Sequence, residues 1–271
     1  MTMAKRATFL ILTTLLSFTA APNFANAQQY EPSVGQEGKD VIWVPTPDFL
    51  VEAMLDMAKI TPKDYLIDLG SGDGRIVIAA AKRGIHAVGF EYNPEMVALS
   101  KSNAEKAGVS DKASFVNADL FESDFSKATV ITMYLLPHLN LKLRPTILEL
   151  KPGTRIVSHA FTMGEWSADQ TTEVENRTAY LWIVPAKVAG IWSWPVDSGN
   201  AELALTQNFQ SLTGSLKVNG KERPFRNPKL DGDEIRFSTE EGEYFGRVNG
   251  KAIEGTIKAN GRERNWSAVL Q

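Results

Sequence analysis

The sequence predicts an α/β fold in which a doubly wound, Rossmann-like domain is followed by a small all-β, barrel-like module. Three observations carry this expectation. Apolar runs of strand length alternate with amphipathic segments between residues 41 and 186, the pattern of a parallel sheet covered by helices on both faces. A glycine-rich turn, Gly70-Ser71-Gly72-Asp73-Gly74, joins the first of these runs to the helical segment after it. Beyond residue 186, short alternating runs are punctuated by Asn219-Gly220, Asp231-Gly232, Asn249-Gly250 and Asn260-Gly261. Such dipeptides suit turns of positive φ and predict consecutive hairpins.

Residues 1 to 27 read as a secretory leader: Lys5 and Arg6 precede an apolar run from Ala7 to Ala21, and Ala25-Asn26-Ala27 offers a small-x-small cleavage site. The run falls short of the roughly 20 residues of a membrane-spanning helix. The expectation is therefore cleavage before Gln28, an exported, periplasmic protein and no permanent membrane span; a retained leader would tether the remainder outside. Residues 28 to 40 are polar and read as an exposed linker.

Thr46-Pro47-Asp48 starts a helix in which Phe49, Leu50, Ala53, Met54, Met57 and Ala58 recur at helical spacing. Then come a strand, DYLIDLG; a helix, GRIVIAAAKRG, ending at Gly84; a strand, HAVGFEY; and a helix, PEMVALSKSNAEKAG, ending at Gly108. ASFVNADL and KATVITMYLL are the third and fourth strands, HLNLKLRPTILELK is a helical stretch interrupted by Pro145, and TRIVSHAF is the fifth strand. Residues 187 to 271 form the β-rich module, and Trp192, Trp194 and Trp266 near its two ends are expected to pack together in its core.

Hydrophobic residues make up 43% of the 271 and charged residues 23%, the balance of a folded globular chain. Without the leader, 27 basic residues face 32 acidic ones, a net charge of −5. Such a surface has no overall attraction for nucleic acid. There is no cysteine, which excludes disulfides, thiolate metal sites and cysteine nucleophiles.

The glycines of the 70–74 turn let the backbone approach a ligand that a Cβ would exclude. Glu91 ends the next strand 21 residues after Gly70, where a carboxylate can accept hydrogen bonds from both hydroxyls of a ribose. A dinucleotide site would place a third glycine where this chain has Arg75, and Asp68 and Asp73 put negative charge where a pyrophosphate would sit. A nicotinamide-dependent oxidoreductase is thus the weaker reading. Acidic groups suit a cationic cofactor, and S-adenosyl-L-methionine carries a sulfonium and an α-ammonium.

Residues 40 to 185 resemble the class I S-adenosylmethionine-dependent methyltransferases, through DLGSGDGR, GFEYNP and NADLF in order at the ends of the first three strands. More narrowly, VPTP, DLGSGDGRIVIAAAKRG, NADLF, TMYLLP and LKPGTRIVSHAF resemble bacterial relatives of the mitochondrial lysine methyltransferases that modify the ATP synthase c subunit and the adenine nucleotide translocase. The resemblance implies that Gly70, Ser71, Gly72 and Gly74, with Asp73 among them, wrap the amino acid part of the cofactor, and that Asp68 lies near its ammonium. It further implies that Glu91 holds the ribose, that Asn93 lies beside the adenosine, that Asp119 and Leu120 fix the adenine, and that Thr46 and Pro47 close the site.

Methyl transfer is an in-line displacement, so alignment and desolvation of the acceptor matter and no metal or covalent nucleophile is required. A protein lysine, the acceptor the resemblance implies, must be neutral when it attacks, which burial near aromatic groups favours. Tyr134 is expected to line the acceptor site. His138 is a candidate proton acceptor, set against a solvated or helix-capping role; His159 reads as a hydrogen-bonded core histidine, His86 as structural and Trp166 as a candidate pocket wall. The alternative function is an exported, non-catalytic binding or structural protein that retains the scaffold. The intact set of glycine and acidic positions argues for retained cofactor binding.

Overall fold

The computed structural model describes residues 30–196 and 199–271; the leader reading of residues 1 to 27 lies outside the described residues. The first part of the chain runs α1 (Asp48–Met57), β1 (Tyr65–Leu69), α2 (Arg75–Lys82), β2 (His86–Glu91), α3 (Pro94–Lys106), β3 (Ala113–Asn117), β4 (Val130–Met133), α4 (Pro137–Ile147), β5 (Arg155–His159), β6 (Gln170–Val174) and β7 (Arg177–Ile183). Its sheet has the order β3-β2-β1-β4-β5-β7-β6. β1 to β5 pair in parallel, whereas β7 is antiparallel to β5 and to β6.

β4 is buried along its whole length and β1 along all but its first residue, because helices cover both faces of a parallel sheet. Leu66 and Ile67, neighbours on β1, feed opposite clusters: Leu66 packs with residues of α1, α2 and α3, and Ile67 with those of α4. The chain winds outward from β1 to β3, then returns to lay β4 on the other side of β1. A crevice opens at that reversal, beyond the carboxyl ends of β1 and β4, where open α/β sheets bind ligands.

Two local results differ from the sequence reading. The β6–β7 hairpin extends the five expected strands to seven; its turn, Glu175-Asn176, has φ of 47° and 59° without a glycine, so it carries no Asn-Gly or Asp-Gly signal. α4 continues through Pro145 to Ile147; a proline in the last turn removes one hydrogen bond where the helix is already ending. α1 starts at Asp48, where the Thr46-Pro47-Asp48 signal placed it, with Pro47 at the cap position and so no side-chain cap.

The second sheet contains β8 (Gly190–Val196), β9 (Gly199–Asn208), β10 (Ser211–Val218), β11 (Lys221–Arg223), β12 (Arg226–Asp231), β13 (Glu234–Ser238), β14 (Glu243–Asn249), β15 (Ala252–Ala259) and β16 (Arg262–Leu270). It is antiparallel, in the order β11-β10-β9-β8-β16-β15-β14-β13-β12. First and last strands pair at its middle, while its edges, β11 and β12, are separated in sequence by only Pro224 and Phe225. The sheet therefore curls into a half-barrel whose unpaired edges are linked by that short connection. Alternate residues point inward, as in Ala201, Leu203 and Leu205 of β9. Trp192, Trp194 and Trp266 are all buried in this core, with Trp194 and Trp266 edge-on at 5.5 Å between ring centroids.

Asn219-Gly220 and Asn260-Gly261 form two-residue turns with both φ positive. In the other two hairpins Asp231 and Asn249 end their strands, and the turns are Gly232-Asp233 and Gly250-Lys251, with positive φ only at the glycine. The two sheets meet at Phe209, whose ring stacks on Trp166 at 5.8 Å and lies under the Arg144 guanidinium at 5.5 Å.

Candidate active site

The crevice at the β1–β4 reversal holds a cavity of about 330 Å³, within the size range of small-molecule sites. Its walls come from the turn after β1, the end of β2, residues 118–120, the segment after β4, Phe161, and residues 36–46. This last segment includes the end of the stretch read as a linker. Residues 36–40 are mostly exposed on one side and line the cavity on the other.

The turn after β1 is held by backbone. Gly70 and Ser71 both donate to the Phe90 carbonyl, at 2.9 and 3.0 Å. Gly72 has φ of 55°, and a Cβ there would stand 2.7 Å from the Trp43 indole nitrogen. Gly74, with φ of 84°, caps α2, and a Cβ would meet the Phe115 ring at 2.7 Å. From α3, Ser100 donates to the Gly72 carbonyl and Asn103 to that of Asp73. Glu91 accepts the Gly72 N–H on one carboxylate oxygen and the Asn93 N–H on the other, each at 2.9 Å. Asn93 itself caps α3 by accepting from Glu95 and Met96, and it also lines the cavity.

Asp68 faces the cavity at 2% exposure, and its carboxylate accepts the Thr132 hydroxyl at 2.7 Å. Burial, with the nearby charges of Glu91 and Asp73, pushes its pKa up to about 7. A cation entering the cavity would relieve that cost. Asp73 is already paired: Arg75 contacts it at 2.7 Å and also donates to the Thr46 carbonyl at 2.9 Å. Arg75, read as the residue that replaces a dinucleotide site's third glycine, thus ties the loop to the N-terminal segment. Ser71 Oγ is buried with no hydrogen-bond partner among the described residues. An acidic floor, a cradle that a Cβ would fill and an unpaired hydroxyl fit a cofactor carrying an amino acid and a sulfonium.

At the opposite end, Asp119 accepts the Phe121 N–H at 2.9 Å and forms an ion pair with Lys39, whose ammonium sits 4.8 Å from the Tyr92 ring centroid. Leu120 lies beside it in the wall. Asp119 is thus both a turn cap and a cavity residue. The sequence reading did not find Lys39, Trp43 or Phe161. For the N-terminal wall the sequence offered only the VPTP motif with Thr46 and Pro47 and the short apolar run VIWV that leads into it.

Thr46 and Tyr134 line the cavity, as expected of them, and Tyr134 stacks with Phe161 at 6.1 Å. Pro47 caps α1 just outside the lining. His138, the candidate proton acceptor, is exposed in the first turn of α4 and does not reach the cavity. Its neighbours Leu139 and Asn140 take the buried face of that turn. His86 is exposed at the start of β2, and His159 is buried as a core residue. Trp166 is no pocket wall: it is fully buried against Trp182 and Phe209, because the curled sheet supplies a partner that the sequence did not reveal.

The fold and this cavity define a class I S-adenosylmethionine-dependent methyltransferase. The sequence model of the ANTKMT methyltransferase domain matches residues 68–170. A protein-lysine N-methyltransferase of Saccharolobus islandicus (strain REY15A) is 46% identical over 151 residues, which span 53% of this chain and 94% of that relative. The chain belongs to this methyltransferase family. The Mus musculus lysine N-methyltransferase named for the ATP synthase c subunit is 38% identical over 131 residues, 48% of this chain and 53% of the mouse protein, so the match spans about half of that relative. The crystal structure of an RNA methyltransferase from Salinibacter ruber in complex with S-adenosyl-L-homocysteine superposes with a TM-score of 0.52 at 50% identity, covering 54% of this chain and 96% of the other.

Proposed function

We propose that the protein methylates the ε-amine of lysine in a protein substrate, and that it does so outside the cytoplasm. The observation that carries the first half is the wall beyond the acidic floor. There Tyr134 and Phe161 stack, giving an aromatic mouth suited to a desolvated, neutral amine. The names of the archaeal and mouse relatives support the same acceptor. The leader pattern of residues 1 to 27 supports export.

S-adenosylmethionine supplies an electrophilic methyl group on a sulfonium. Asp68 offers the buried negative charge for its cationic part, Glu91 the acceptor oxygens for a ribose, and Asp119 with Leu120 a polar and an apolar contact for a purine. Tyr134, Phe161 and Thr46 exclude water from the acceptor end and orient the incoming amine, which is where alignment gains rate. The amine's proton leaves to solvent before attack, with no general base required.

The test incubates the full chain and methyl-tritiated S-adenosylmethionine with poly-L-lysine and, separately, with total RNA. Label recovered as methyl-lysine after acid hydrolysis is the expected result. Label confined to RNA, the acceptor class of the Salinibacter protein's description, would replace the lysine reading. N-terminal sequencing of the protein from fractionated cells tests export; a chain retained in the cytoplasm with Met1 intact would refute it.

A further inference from the structure

His159 ends β5 at 2% exposure and has no part in the chemistry above. Its Nδ1 lies 3.1 Å from the Thr46 hydroxyl, and its ring stacks on Tyr134 with centroids 3.8 Å apart and planes inclined at 29°. The end of the N-terminal segment and the residue after β4 therefore meet on one buried imidazole. Those two wall residues are 88 positions apart in sequence, and the imidazole is what joins them.

The backbone beyond His159 is unusual. Ala160 has φ of 65°, and the Phe161 N–H donates to the His159 carbonyl at 2.8 Å. A hydrogen bond across a single positive-φ residue is the rare, strained form of γ-turn, and such strain persists only where the surroundings hold it. Here Ala160 N–H bonds the Thr178 carbonyl at 2.8 Å, and Asn140 of α4 reaches the carbonyls of Phe161 and Thr162 at 3.3 Å. The reversal brings Phe161 back to Tyr134, at 6.1 Å between centroids and 21° between planes. One strained turn thus supplies both aromatic neighbours of Tyr134.

Burial, aided by the charge of Arg177, lowers the His159 pKa to about 4, so the ring is neutral near pH 7. Its Nδ1 is engaged with Thr46, and its Nε2 is buried with no partner among the described residues. The ring is buried and stacked behind Tyr134 rather than facing the cavity, so its place is that of a support. We propose that His159 is a positioning residue for the methyl acceptor: it fixes the Tyr134 ring, and so the mouth that admits the amine, against the Thr46 end of the N-terminal segment. The inference rests on the reading of Tyr134 as the acceptor wall.

Variants of the full chain test it. His159→Phe keeps a ring against Tyr134 and removes the bond to Thr46; Thr46→Val removes the same bond from the other side, and Thr46→Ser preserves it. With poly-L-lysine as acceptor, each of the first two is expected to lower kcat about tenfold while the Kd for S-adenosyl-L-homocysteine stays within about threefold. The double variant should be no worse than the weaker single one, because both break one contact, and Thr46→Ser should restore the rate. An acceptor-free readout accompanies the kinetics. In protein labelled at tyrosine ring carbons and saturated with S-adenosyl-L-homocysteine, the Tyr134 ring signals should shift towards averaged values in both His159→Phe and Thr46→Val.

Unchanged Tyr134 signals, or a kcat that falls only in step with cofactor affinity, would overturn the proposal. If wild-type protein binds S-adenosyl-L-homocysteine but transfers nothing to poly-L-lysine, the lysine reading fails on its own, and the Tyr134 signals still decide the role of His159.

Discussion

The two ends of the cavity are built by different means. The cofactor end is mostly one local unit, in which strand β1, five residues of turn and helix α2 follow each other, and β2 returns beside them to offer Glu91. The acceptor end is assembled from Thr46, Tyr134, His159 and Phe161, four residues on three separated segments. The first is polar and rich in backbone N–H groups, the second mostly aromatic. A backbone cradle tolerates few substitutions but needs few coordinated ones, whereas the aromatic wall depends on each member holding the next.

If that contrast is right, the largest single loss comes from the cofactor end. Glu91→Ala removes the acceptor of two backbone N–H groups and the proposed ribose ligand together. It should weaken S-adenosyl-L-homocysteine binding on the order of 100-fold, or about 2.7 kcal/mol, by calorimetric titration. A loss below about threefold would mean that the loop holds the cofactor without it.

At the acceptor end Tyr134→Ala should lower kcat about tenfold or more with cofactor affinity unchanged, while Tyr134→Phe keeps most of the rate, since the ring rather than the hydroxyl forms the wall. A Phe variant as slow as the Ala variant would show that the hydroxyl takes part.

The contrast extends to pH. Asp68 has a folded pKa of about 7 against 3.8 in the unfolded chain. Between those values the unfolded chain is ionised and the fold still holds the proton, so this group's contribution to stability falls as pH rises from about 4 to about 7 and then levels. Bound cofactor reverses the preference. Its affinity should rise with pH by up to about tenfold per unit below 7 and flatten above, with proton release detected by calorimetry in two buffers of different ionisation enthalpy. His159 runs the other way, because its folded pKa is depressed to about 4. Its contribution is full above about 6.5 and is lost as pH falls towards 4. In His159→Phe that part of the acid slope in a denaturant titration should disappear.

The smallest effect is expected at Lys39, whose ion pair with Asp119 is partly exposed. Lys39→Ala frees the Asp119 carboxylate and should tighten S-adenosyl-L-homocysteine by no more than about fivefold, the scale of a surface pair. Weaker binding would instead make Lys39 a latch for the N-terminal segment.

The local unit was legible in advance because its signals are local. Glycines at 70, 72 and 74, an apolar run before them and Glu91 after them are short-range facts, and the strand-helix alternation placed them at one crevice. The β6–β7 hairpin was not legible, since Glu175-Asn176 adopts positive φ without a glycine to announce it. Trp166 was misplaced among the pocket walls because its partner, Phe209, arrives from the second sheet. His138 shows the same limit, whereas His159 was read rightly as a hydrogen-bonded core residue and only its place under Tyr134 was hidden. Both stand beside site motifs, yet helix phase turns one to solvent, and the sheet buries the other under Tyr134.

By itself, then, the sequence determined the doubly wound domain, the hairpin-rich module, the acidic glycine turn and the cationic cofactor it suits, because periodicity and turn chemistry act over a few residues. Only the tertiary structure decided that residues 36–45 cover the cavity beside Thr46, that Arg75 and Lys39 tie this segment to it, and that a strained turn at Ala160 sets two rings on Tyr134. Those contacts join residues tens of positions apart. They exist only after packing has chosen which faces meet, and no local preference encodes that choice.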